Sequence, residues 1–133
     1  MTAPGLTTRP SQHGPRDTMN RLEAAVKAKG MTVFARIDHS SGADCVGPAL
    51  RPTELLIFGN ARAGTPLMQS VPTIAIDLPL KAIAWEDPAG QTWLSYNDPA
   101  WLATRHGLDG TTDAVIAQMS RALDEMAKAA TWT

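Results

Sequence analysis

Hydrophobic positions change their spacing several times along the chain, and each change marks an element. Met19, Leu22 and Val26 recur at helical spacing, Glu23 and Lys27 form an i,i+4 pair, and Gly30 stands where a helix would stop. With Asp17 as a cap, this predicts an amphipathic helix from Asp17 to Gly30. Met31 to Asp38 then alternates, with Met31, Val33, Ala35 and Ile37 on one face and Thr32, Phe34, Arg36 and Asp38 on the other. That is the period of a half-buried strand in which Phe34 alone sits on the wrong side. Leu55 to Phe58 is apolar on both faces and reads as a central strand that needs cover on each side.

Leu80 to Glu86 and Gln91 to Asn97 flank Asp87, Pro88, Ala89 and Gly90, a four-residue hairpin connection. Pairing Glu86 with Gln91 sets Trp85 opposite Thr92 and Ile83 opposite Leu94, and turns Trp93 to the other face. Asp98 and Pro99 open a short helix that carries Trp101 and Leu102 and ends near Gly107. Thr111 caps a long helix striped by Val115, Ile116, Met119, Leu123, Met126 and Ala130.

Between these elements, prolines and glycines set the limits. HSSGADCVGPALRP reads as a loop with one helical turn around Ala43 to Val46. Thr65 and Pro66 start a helix that Pro72 holds to about two turns. Residues 1–10 are expected to be partly disordered or, given the threonines between Gly5 and Ser11, to add an edge strand. The order β-α-β-β-(short α)-β-β-α describes a two-layer α+β domain, an antiparallel sheet with helices on one face. A chain of 133 residues needs one core, so residues 1–133 are read as one domain.

Two helices cover one face of such a sheet, which leaves Phe34, Trp93 and either Leu56 or Phe58 on the other. A symmetric homodimer, sheet against sheet, is the simplest cover, with Phe34, Leu56, Phe58 and Trp93 as interface candidates. The 12 basic and 13 acidic residues nearly cancel, so neither nucleic acid nor a membrane surface is an expected partner. The lone Cys45 cannot close an intramolecular disulfide, and MTAPGLTTRP lacks the basic start and apolar run of a secretory signal. The expected compartment is the cytoplasm.

Four blocks, TVFARIDHSSGA, LRPTELLIFGNARAGTPLM, IDLPLKAIAWED and WLSYNDPAWLATRHGL, occur in an order that resembles the bacterial family known as domain of unknown function 302. The resemblance runs from about Arg21 to Leu108 and implies a small two-layer α+β fold and, commonly, a homodimer. It implies no settled activity and no catalytic residues.

Two constellations have the residue types for chemistry. Gly59 to Pro66 is read as a loop with two glycines at the separation of a phosphate-binding loop. Thr65 and Pro66 replace that motif's lysine and hydroxyl residue, so nucleotide hydrolysis of that kind is not expected. Asn60, Arg62, Gly64 and Thr65 remain ligand-binding candidates, for an anion at the bare helix N-terminus or a small apolar molecule. Asp38, His39, Asp44 and Cys45 stand within eight residues and are candidate metal ligands, although their spacing matches no zinc signature. Asp77, His39 and His106 are further ligand candidates, His106 with the alternative of a helix C-terminal cation.

No nucleophile elbow, dinucleotide fingerprint or paired CxxC occurs, and no cofactor is expected. The leading functional reading is a cytoplasmic dimeric module, small-ligand-binding or accessory. Its cleft is expected to be framed by the 59–65 and 38–45 segments and His106. The rival is a metal-dependent binder or enzyme using His39, Cys45 and the nearby carboxylates.

Overall fold

The computed structural model describes residues 3–132. Of the stretch expected to fray, Met1 and Thr2 lie outside the described residues. The elements are β1 (Leu6–Pro10), α1 (Pro15–Ala28), β2 (Thr32–Asp38), α2 (His39–Val46), β3 (Thr53–Gly59), α3 (Ala61–Ser70) and a 3-10 helix (Pro72–Asp77). β4 (Leu80–Glu86), β5 (Thr92–Asn97), α4 (Pro99–Arg105) and α5 (Asp113–Trp132) complete the chain. The strands form one five-stranded sheet in the order β1-β5-β4-β3-β2, and every neighbouring pair is antiparallel. The threonine-rich N-terminal segment is therefore an edge strand, and the α+β architecture holds.

α1 opens at Pro15 rather than at Asp17, with Gly14 in the capping position. Proline's fixed φ suits a first helical turn, and Asp17, now inside that turn, pairs with Arg21 at 3.0 Å. At the other end Gly30, at φ +77°, closes the helix. Its N–H donates to the Lys27 carbonyl at 3.0 Å and that of Met31 to Val26 at 3.2 Å, a Schellman motif.

Met19, Leu22 and Val26 of α1 pack with Leu123, Met126, Ala127 and Ala130 of α5 over Leu56, Phe58, Leu80, Ala82, Ala84, Leu94 and Tyr96 of the sheet. A second, smaller cluster joins Leu67 of α3, Ile74 of the 3-10 helix, and Ile116 and Met119 of α5. α5 thus belongs to both clusters, which ties the sheet to the insertion between β3 and β4.

Two registers differ from the expected ones. Val33 stands opposite Phe58 and Ala35 opposite Ile57, so Phe34 is an extra residue, a β-bulge. The bulge reverses the faces of the rest of β2. Arg36, opposite Leu56, turns to the helical face, and Ile37, opposite Leu55, turns away from it. There the Arg36 guanidinium donates to Glu54 (2.8 Å), Asn20 (2.7 Å) and Glu23 (3.4 Å), which partners the buried Glu54 carboxylate.

In the β4–β5 hairpin, Glu86 pairs with Thr92 and Trp85 with Trp93. Asp87 is the cause. Its backbone N–H bonds the Gln91 carbonyl at 2.9 Å, and its carboxylate accepts the N–H groups of Ala89 and Gln91. The connection therefore shortens to three residues ending in Gly90, which takes the left-handed conformation at φ +85°. One residue of slip moves Trp85 to the face opposite the helices. There it stacks on Trp93 with ring centroids 6.3 Å apart.

That open face carries Ile37, Leu55, Ile83, Ser95 and Thr8 in one row, with Ala35, Ile57 and Lys81 in the row beside it. Leu56 and Phe58, expected on this face as interface candidates, are instead fully buried in the main cluster, and their neighbours Leu55 and Ile57 occupy the open face. The error follows from the period of two: one residue of displacement exchanges the faces.

Candidate functional site

The chain enters α3 directly from β3. Asn60 caps the helix, its side chain accepting the Arg62 N–H at 2.9 Å, and its carbonyl accepts the N–H groups of Ala63 and Gly64 at 3.0 Å each. The glycine loop expected at residues 59–65 is therefore helix from Ala61 onward, and Thr65 is no cap. Pro66 lies inside the helix and, lacking an N–H, leaves the Arg62 carbonyl without its usual donor. Asn60 before the helix formers Ala61, Arg62 and Ala63 was a sequence signal for this start, overshadowed by the Thr-Pro pair.

Early entry into the helix places Gly64 beside a groove of about 220 Å³. Its walls are Phe34 at the bulge, Gly59 to Ala61, Gly64, Thr65 and Met68 of the α3 region, Leu78 to Leu80, and Met119 of α5. Asn60 and Thr65 supply the polar side chains, and the rest is apolar. A Cβ on Gly64 would stand 3.6 Å from Leu78 Cδ1 and 3.7 Å from Met68 Cε, ordinary contacts. Gly64→Ala is expected to stabilise the fold by about 0.5–1 kcal/mol through helix propensity. Denaturant unfolding checks this, and a loss of stability would mean that the helix tolerates no Cβ here.

A second, wider and more polar depression of about 740 Å³ adjoins the first, the two sharing Asn60 and Met119. Lys29, Arg62, Gln118, Arg121 and Glu125 line it. Lys29 pairs with Glu125 and, by that hydrogen bond and its charge, holds the carboxyl below its ordinary range. The Arg121 charge adds to that effect, although among the described residues neither Arg62 nor Arg121 has a carboxylate oxygen within ion-pair distance.

Asp77 and His106, separate in the sequence, meet at the join of the 3-10 helix and α4. Asp77 Oδ2 lies 2.6 Å from His106 Nε2 and 2.6 Å from an Arg105 guanidinium nitrogen, while His106 Nδ1 lies 3.1 Å from Thr73 Oγ1. Burial opposes the charge on Asp77, but the hydrogen bonds from His106 and Arg105 and their charge outweigh it, so the carboxyl titrates below its ordinary range. These contacts hold α4 against the 3-10 helix. Neither residue lines the grooves.

The 38–45 segment is helix rather than loop. Asp38 caps α2, accepting from Ser40 and from the Ser41 N–H, and pairs with Arg16 at 3.5 Å. His39, Asp44 and Cys45 then project at different angles around an eight-residue helix. Among the described residues, no group of three or more His, Cys, Asp or Glu side chains could hold a metal ion. The metal candidates Asp38, His39, Asp44 and Cys45 are thus not gathered into such a group. His39 lines neither groove, so the cleft is framed by Phe34, the α3 entry and Leu78 to Leu80 instead. Phe34, Met68, Leu78, Met119 and Arg121 were missed in the sequence because they converge only through tertiary packing.

A five-stranded antiparallel sheet backed by two helices, with a groove at the β3–α3 junction, defines the class of domain. The chain belongs to the family described as Domain of unknown function DUF302, which it matches over residues 7–126. A crystal structure of an uncharacterized conserved DUF302 protein from Bacillus stearothermophilus shares the fold, with a TM-score of 0.84 at 19% identity, over 96% of this chain and 99% of that one. The chain is also 51% identical over 115 residues to proteins of Brucella suis and Brucella abortus, each named fluoride-specific ion channel FluC 1. The match spans 86% of this chain but only 45% and 43% of those relatives. Among the described residues, no helix is long and apolar enough to cross a membrane.

Proposed function

We propose that this chain is a cytoplasmic, homodimeric accessory domain that binds a small, chiefly apolar ligand in the groove beside Gly64. The observation that carries the reading is the groove itself: about 220 Å³, walled by apolar side chains, with a buried glycine that leaves room at its wall. In the Brucella relatives a matching segment is part of a longer chain named for fluoride conduction, which supports an accessory role there. Calorimetric titration with octanol, chosen as a neutral apolar probe, tests the ligand half. Saturable binding that Gly64→Leu removes is expected, and binding unchanged by Gly64→Leu would contradict the site.

The homodimer rests on the open sheet face, where Ile37 is 39% exposed and shares the face with Leu55, Ile57, Ile83 and the tryptophan pair. Light scattering at tens of micromolar is expected to give the mass of a dimer, and Ile83→Asp that of a folded monomer. A monomeric wild type would contradict the assignment. Cys45, exposed and free, agrees with a reducing compartment.

A further inference from the structure

We infer that the ligand of this groove is an amphiphilic anion, with a hydrocarbon tail beside Gly64 and its carboxylate or phosphate head in the adjoining basic depression. The inference rests on the groove being a ligand site and adds the chemical class of its occupant. Asn60 and Met119 line both depressions, so a molecule lying in one reaches the other past the α3 N-terminus. An apolar cavity of about 150 Å³ is filled by benzene, so one of about 220 Å³ takes a tail of about eight carbons.

Charge decides which end goes where. The depression sets Lys29, Arg62 and Arg121 against one carboxylate, Glu125, which pairs with Lys29 and also feels the Arg121 charge, so positive charge is left over. Two guanidiniums facing the same open depression favour an anion, and the fork of N–H donors on each matches the oxygens of a carboxylate or phosphate. The apolar groove offers no charged group that would hold a head there. A neutral hydrocarbon would fill it and leave the arginines unused.

Calorimetry with octanoate, octanol and acetate on the full chain at low salt tests this. Octanoate is expected to bind about tenfold or more tightly than octanol, with the difference shrinking as salt is raised and in Arg62→Gln or Arg121→Gln. Acetate is expected to bind too weakly to measure. Equal binding of octanoate and octanol would overturn the anionic head while leaving the apolar reading intact. Acetate matching octanoate would overturn the tail, and absence of binding by all three would overturn both readings. Circular dichroism of the arginine variants, which replace exposed side chains, separates lost binding from lost folding.

Discussion

Phe58→Ala is expected to lower the free energy of unfolding by about 3–5 kcal/mol, the usual cost of emptying a well-packed aromatic site. Domains of this kind have about 5–15 kcal/mol in total, so the variant should be barely folded at room temperature. Phe58 is fully buried between the sheet and the two long helices, so its ring has no solvent to retreat into. Ile57, one residue away, faces the open side and is half-buried. Ile57→Ala is expected to cost only about 1 kcal/mol in the monomer. Urea titrations of the two variants give the comparison. If Ile57→Ala cost more than Phe58→Ala, the assignment of faces in β3 would be reversed.

Asp77→Ala is expected to cost about 2–3 kcal/mol, because it removes the acceptor from both His106 and Arg105 and frees α4 from the 3-10 helix. The sign of the pH dependence follows from the lowered pKa of Asp77. Its folded carboxyl is more acidic than the unfolded one, whose pKa is about 3.9. The stabilisation is therefore complete above the unfolded value and is lost as pH falls through the lower, folded value. Below about pH 4 the wild type should lose stability faster than Asp77→Asn, which has no carboxylate to protonate. Several other carboxylates are also shifted downward, so the difference between the two proteins isolates Asp77. Parallel acid unfolding curves would show that the Asp77 charge is not linked to folding.

What could be read from the residues was whatever rests on local periodicity. The helices α1 and α5, the strands β3 to β5 and the order of the layers all follow from spacing within a dozen residues. What could not be read depends on contacts between distant segments. The bulge at Phe34 exists because of how β2 lies against β3, and nothing inside TVFARID announces it. The hairpin slipped by one because the Asp87 carboxylate binds back to its own turn. The start of α3 was misplaced because Thr65 and Pro66 imitate a cap, while the working cap, Asn60, lies five residues earlier.

The same distinction explains the site. Asn60, Gly64 and Thr65 were legible because they share one segment, and they do line the apolar groove. Asp77 and His106 were singled out separately, and their meeting depends on the packing of α4 against the 3-10 helix. The α2 cluster was attractive only as a string of letters. Folding into a helix directs its side chains apart, and the Asp38 carboxylate is taken up in capping.

The methionines report on the groove and on the core separately. Met68 and Met119 line the apolar groove, Met31 lines the basic depression, and Met19 and Met126 are buried in the main core. With the methionine methyl groups carbon-13 labelled, NMR titration with octanoate is expected to shift the Met68 and Met119 signals saturably and the Met31 signal with them. The signals of Met19 and Met126 should stay in place. Unmoved Met68 and Met119 signals at saturating octanoate would mean that the groove does not hold the hydrocarbon tail.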